Sequence, residues 1–340
     1  MKKLFILLIV FLFAGLSFAG DKARKGTTGA DELLIPVGAR GIATGEAFLS
    51  SVMGLEAIYY NPAGLAFQPG SEVMFSYMTY IADINISYFA IGTNLGDLGS
   101  FAFSLKSLDF GDIPVTTFES PDGTGATYSP SYIIAGISYS KVITDRVSIG
   151  INTKLISESI LEVSASAFAI DFGVQYRFSN RLSIGASVKN IGTNMTFSGS
   201  NLQFRTPIPG AQEGTRDGAF EVVAEEFQLP SYFELSVGYL FDFNESNQLS
   251  VASTFRNNNA LEDQMKLGLE YGFANAFFVR GGYNLMLQGS SNDSIFRFSL
   301  GAGINYNFSE FGAISFDYAY RDVNAVFDAN HIVTLKISLE

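Results

Sequence analysis

The chain has 340 residues, 47% hydrophobic and only 16% charged, with a formal net charge of -12 and no cysteine. That balance lacks the basic footprint nucleic-acid phosphates require, and without cysteine there is no disulfide, thiolate metal site or lipid attachment through sulfur. Thirty-four Gly, 32 Phe and 16 Tyr with so few charges make a composition too aromatic for an ordinary soluble domain, so part of the surface should face something other than water.

The first element is Met1-Lys2-Lys3 followed by an uncharged apolar run from Leu4 to Phe18. With Ser17 and Ala19 at the small positions a signal peptidase reads, residues 1–19 are predicted to be a secretory signal cleaved near Ala19. The run is shorter than the roughly 20 residues a spanning helix needs, and Gly20-Asp21-Lys22 follows at once. No later stretch is apolar enough to cross as a helix.

Residues 20–70 form a second segment, without period-two alternation over most of its length. Ala47, Phe48, Val52, Leu55 and Ile58 fit helical spacing between Ala43 and Ile58. Asn61-Pro62-Ala63-Gly64 after it reads, on its own, as a turn or short helix start, because Asn caps and Pro suits the first helical position.

From Ser71 to the end, residues 71–340, apolar and small or polar residues alternate with period two. Between Val147 and Leu155 one face is Val, Ile, Ile, Thr, Leu and the other Ser, Gly, Asn, Lys. Charged residues such as Lys154, Asp171, Lys189, Glu234, Lys266, Glu270, Arg280, Asp317 and Arg321 keep to the polar face, as does Arg297. A Lys or Arg facing lipid near midplane would cost about 2 to 4 kcal/mol, which gives the segregation a physical cause. Fourteen strands are predicted, over 71–80, 83–94, 98–109, 130–141, 146–158, 163–178, 181–198, 229–243, 247–257, 262–272, 276–288, 293–308, 311–322 and 328–339. Tight turns such as Ile143-Thr144-Asp145, Ser179-Asn180 and Ser309-Glu310 alternate with longer connections, notably the acidic loops 110–129 and 199–228. An even strand number with short turns at one end is the outer-membrane pattern: an all-β, 14-stranded antiparallel barrel in the bacterial outer membrane. A soluble sandwich or lipocalin-like barrel also alternates, but it would need an outward face rich in Lys and Glu, and here the polar face is mostly Gly, Ser and Asn.

Gly38-Ala39-Arg40, Gly45-Glu46-Ala47 and Tyr60-Asn61-Pro62-Ala63-Gly64-Leu65 together resemble the PorV/PorQ family, within the wider FadL-like outer-membrane barrels. Leu108 to Pro114, Tyr139 to Asp145, Asp171-Phe172-Gly173, Lys189-Asn190-Ile191-Gly192, Leu229-Pro230 and His331-Ile332 extend the resemblance over nearly the whole mature chain. The resemblance implies fourteen strands, a small helical N-terminal hatch in the lumen over 20–70 with the hatch motif Asn61, Pro62, Ala63 and Gly64, and one of two functions. PorV-like members serve type IX secretion, holding secreted proteins at the outer surface, with secreted proteins or secretion-system components as partners. FadL-like members pass long-chain fatty acids or other apolar ligands, which implies a hatch pocket of Phe48, Val52, Leu55, Tyr59 and Tyr60 with Arg40 as carboxylate partner; packing against the barrel wall is the commoner role for such residues. A nonspecific porin is disfavoured, since a plug would block the channel.

The residues offer no catalytic constellation. The single histidine, His331, starts the last strand with no partner nucleophile in view, and Asp122-Gly123-Thr124-Gly125 lacks both a calcium-loop ligand count and a phosphate-loop Gly-Lys-Ser/Thr, so it reads as a turn. No enzyme activity, cofactor or metal is expected; the partners are outer-membrane lipid and the cargoes above, with no nucleic acid.

Overall fold

The computed structural model describes residues 26–340, except 69, 211, 213, 214, 260, 288–294, 310, 311, 325, 326 and 340. The predicted signal and the end of the Ser309-Glu310 turn lie outside the described residues.

Fourteen strands carry the wall: β1 Ser71–Thr79, β2 Asn85–Asn94, β3 Ser100–Asp109, β4 Ser131–Thr144, β5 Val147–Ile160, β6 Val163–Arg177, β7 Leu182–Gly192, β8 Tyr232–Asn244, β9 Asn247–Asn258, β10 Gln264–Phe273, β11 Phe277–Met286, β12 Phe296–Ser309, β13 Gly312–Val323 and β14 Asn330–Leu339. Each pairs antiparallel with its neighbour in sequence. The ring closes where β1 meets β14, in register from Ser71 opposite Leu339 to Thr79 opposite His331. Closure gives every strand a hydrogen-bonded neighbour on both sides and leaves no open edge, the condition for a sheet to exist in lipid.

The burial pattern inverts that of a soluble protein. On β10, Leu267, Leu269 and Tyr271 are exposed while Lys266 and Glu270 are buried; on β5, Ile149 and Leu155 are exposed while Ser148, Asn152 and Lys154 are buried. The outward face therefore meets acyl chains and the inward face meets the protein's own interior. Arg297 departs from this pattern: a register shift between Phe296 and Ser299 turns Phe296 inward and leaves Arg297 at the rim beside Asp322.

Short turns cluster at one end, the periplasmic end by the outer-membrane pattern. At the other end, residues 110–130 and 193–231 are long, and each carries a small two-stranded ribbon: Ile113–Pro114 with Thr127–Tyr128, and Gln203–Thr206 with Gly218–Glu221. The strand expected over 181–198 stops at Gly192. Asn190 adopts a left-handed conformation with φ 58°, and its N–H donates to Asp171 at 2.8 Å across a register shift. The chain then turns inward, and Met195 exchanges backbone hydrogen bonds with Phe227 at 2.9 and 3.0 Å. Met195 sinks into a cluster with Ala30 and Leu33 at one end of the interior, so the long loop folds over the lumen rather than standing clear of it.

Candidate functional site

Residues 30–68 pack inside the ring, and strands on opposite sides of the barrel hold them. Ser299 on β12 donates to the carbonyl of Ala43, Ser236 on β8 and Thr254 on β9 to that of Ala47, and Ser140 on β4 to that of Ala63. The sequence pattern suggests a helix through 43–58; the structure has instead a series of single turns, a helix α1 at Ala39–Ala43, 3-10 turns at Gly54–Glu56 and Pro62–Phe67, and a helix α2 at Ala57–Tyr60. Gly45, Glu46 and Gly54 all have positive φ, which no continuous helix accommodates. The reason is proximity to the wall. A Cβ on Gly282 of β11 would lie 2.0 Å from the Gly45 nitrogen, and one on Gly150 of β5 would lie 2.2 Å from the Pro62 carbonyl carbon. Gly150, Gly185, Gly268 and Gly282 of the polar strand faces are thus seats for the plug backbone, and the apolar periodicity over 43–58 records burial on several sides rather than a helical stripe.

The Asn61-Pro62-Ala63-Gly64 motif ties the plug to β6. Asn61 Oδ1 accepts from the Ala63 N–H at 3.2 Å, capping the turn that Pro62 begins, while its Nδ2 donates to the carbonyls of Leu49 and Val174 at 3.2 and 3.1 Å. Gln175, next on β6, donates to Leu49 and Val52 carbonyls at 3.2 and 2.9 Å. Tyr60 donates its hydroxyl proton to the Val37 carbonyl at 2.9 Å, and Tyr59 to that of Leu34 at 3.0 Å.

The other candidate pocket residues are also engaged. Arg40 meets Glu270 of β10 with two parallel bonds of 2.8 Å, and the same carboxylate takes Arg280 at 2.6 Å, whose far side binds Asp317 at 2.5 Å. The guanidinium offered for a ligand carboxylate already has a protein carboxylate. Arg40, Phe48, Val52 and Tyr60 border one cavity of about 10 Å³, below the room a drug-sized ligand needs. Leu55 is fully buried in a cluster with Val37, Ile58 and Met74, and Tyr59 faces a separate cavity of about 40 Å³. Larger spaces lie above and below: about 320 Å³ toward the long loops, between Asp31–Pro36 and the tops of β9 to β13, and about 200 Å³ toward the short turns beside Arg40 and Lys336.

Sequence reasoning missed the residues that balance charge around the plug. Glu46 accepts from Lys266 at 2.7 Å and Arg256 at 3.0 Å, and Arg256 also binds Glu234 at 2.7 Å. Burial works to raise the Glu46 carboxyl, but Lys266 and Arg256 hold it down at about 2. Glu32 shows the opposite balance: burial and the nearby Glu158 carboxyl push it up to about 8, against the pull of Lys106. The signal was available, since charges on alternate positions of many strands must face one interior, but which plug residue met them was not. His331 lies at the rim, its ring nitrogen 2.7 Å from the Tyr318 hydroxyl.

A closed fourteen-stranded antiparallel barrel whose lumen holds short N-terminal turns is the FadL-like outer-membrane architecture. Among solved structures, the chain is similar to the CymD monoaromatic hydrocarbon channel at 12% identity, covering 90% of this chain and 98% of that one with a TM-score of 0.55. It is also similar to the Pseudomonas putida toluene transporter TodX (13%, 90% and 98%, TM-score 0.56) and to a Pseudomonas aeruginosa FadL homologue (12%, 90% and 98%, TM-score 0.54). At such identities these likenesses establish the fold. No curated protein matches the chain. The model of the type IX secretion system membrane protein PorP/SprF family matches residues 124–337, and the chain belongs to that family. The resemblance read in the sequence was to PorV/PorQ; the matching model is PorP/SprF, and it begins beyond the hatch motif on which the resemblance chiefly rested. Family and fold together place the protein in the bacterial outer membrane.

Proposed function

We propose that this barrel is a type IX secretion-associated component, akin in role to PorV/PorQ proteins, that binds or shuttles secreted proteins at the outer membrane through its long exterior loops. The observation that carries this reading is the family match over 124–337, which spans most of the barrel and the whole loop 193–231. Under it, residues 1–19 are a signal, 20–70 a fixed hatch and 71–340 the barrel. Asn61, Pro62, Ala63 and Gly64 anchor the hatch, and Arg40, Phe48, Val52, Leu55, Tyr59 and Tyr60 serve to hold it rather than to bind cargo. The bidentate Arg40–Glu270 pair and the small cavities beside the hatch favour that assignment. The test is purification from outer membranes in mild detergent after crosslinking. Secreted proteins or other secretion components recovered with the wild type, and lost when 110–129 and 199–228 are shortened, support the reading.

The competing reading is FadL-like passage of long-chain fatty acids or other apolar compounds. The cavity of about 320 Å³ above the plug is the observation in its favour. A stoichiometric acyl or aromatic compound extracted from the purified barrel, with no protein partner, would replace the first reading with this one.

A further inference from the structure

The cavity beside Tyr59 is walled by cations. Lys106 of β3, Lys154 of β5 and Lys189 of β7 all line it, at 4%, 8% and 2% exposure. Alternate strands of one sheet place all three on the same stretch of inner wall. Lys154 has a counter-charge, Asp171 at 2.7 Å. Lys106 donates to the carbonyls of Glu32 and Ile35 at 2.6 and 2.9 Å, which are dipoles rather than charges. Lys189 has neither a hydrogen bond nor a carboxylate within salt-bridge distance among the described residues; its ammonium stands over the Tyr59 ring at 4.3 Å and the Tyr232 ring at 5.6 Å.

The neighbouring acids do not make up the difference. Glu46 and Glu234 are each shared by Arg256 and Lys266, two acids against two bases. Glu32 lies close to Lys106, but burial and the Glu158 carboxyl push it up, which weakens it as a counter-charge. Lys106 and Lys189 are left as two buried amines lining one small space with no carboxylate within ion-pair distance among the described residues, so each needs a counter-ion there to hold its charge. An uncompensated buried charge is among the costlier features a fold can carry.

We propose that this cavity is a binding site for a small inorganic anion of chloride size, held by the ammonium groups of Lys189, Lys106 and Lys154. Its volume of about 40 Å³ is roughly three times the ~10–15 Å³ one water needs, which admits a halide and excludes an acyl carboxylate or an amino acid. The site joins plug to wall, since Tyr59 and the carbonyls held by Lys106 belong to the plug and the lysines to the barrel. It is independent of the cargo the exterior loops engage.

The test uses the full-length barrel in detergent, freed of halide by dialysis into sodium gluconate. Crystals grown in sodium bromide are expected to show an anomalous peak within the three-lysine cavity. At constant ionic strength, replacing gluconate with bromide is expected to raise the thermal midpoint of the wild type and to leave that of Lys189→Met unchanged. The proposal is overturned by bromide crystals with no peak in the cavity, or by a wild-type midpoint equal in the two salts. Should Lys189→Met fail to assemble, the wild-type bromide map decides alone.

Discussion

At the scale of single residues, the interior is a set of short polar contacts whose loss has a calculable direction. Glu46→Gln leaves Lys266 and Arg256 with Glu234 as their nearest acid; breaking a buried pair of this kind costs about 3 kcal/mol, and we expect the plug to be released from protection at Thr44–Phe48 in hydrogen exchange before the strands are. Two plug carboxyls should respond to pH in opposite senses. Glu46 lies below its ordinary value, so the stability it adds is full above about 4.5 and is lost as the pH falls through about 2. Glu32 lies above its ordinary value, so its neutral form favours the folded state below about 4.5, and that contribution is lost as the pH rises through about 8. Protection at Gly29–Ile35, taken relative to the intrinsic exchange rate at each pH, should therefore fall between pH 6 and pH 9, and Glu32→Gln should abolish that fall. Equal protection in both proteins across that range would show that the carboxyl does not titrate there.

At the scale of elements, the strands and the presence of a short helical plug were legible in the sequence, and the turns inside the plug were not. A strand of this barrel has lipid on one side and a polar interior on the other, so period two is imposed on each strand independently, as in Val147 to Leu155. The ends of strands were less legible where a local contact decides them. Strand β7 ends at Gly192 because Asn190 enters the left-handed region to meet Asp171, a carboxylate that adjacent residues of sequence do not reveal. The plug is surrounded by wall on many sides, so its buried residues follow no single period, and its turns are set by glycines some 240 residues away, such as Gly282 against Gly45. The motif Asn61-Pro62-Ala63-Gly64 was visible as a cap; its two bonds to Leu49 and Val174 carbonyls were not. Gly282→Val should push the plug from its seat while leaving the sheet closed. The expected readout is faster proteolysis within 39–60 and larger single-channel conductance in planar bilayers, against an unchanged β-sheet circular dichroism spectrum.

At the scale of the whole molecule, the ring depends on one seam between elements some 250 residues apart. Tyr77 and Val333 face each other across β1 and β14 on the outward side. The chain has no cysteine of its own, so Tyr77→Cys with Val333→Cys gives an unambiguous reporter. Oxidation of the assembled double variant should yield a circularised species that migrates differently under denaturing electrophoresis and reverts on reduction. Failure to cross-link in folded protein would mean that the ring does not close at this seam.

The plug's polar contacts have a consequence for assembly. Its residues are made before every strand, yet Ala39 is held by Thr334 and Ala43 by Ser299, 295 and 256 positions further along the chain. Until β12 to β14 arrive, those backbone groups have no partner on that side, and contacts this distant in sequence are slow to form. A ring that had already closed would admit the segment only through its ends. The last strands must therefore fold against contents already in place, so damage to a plug residue such as Gly45 should appear as barrels that fail to mature as well as barrels that leak.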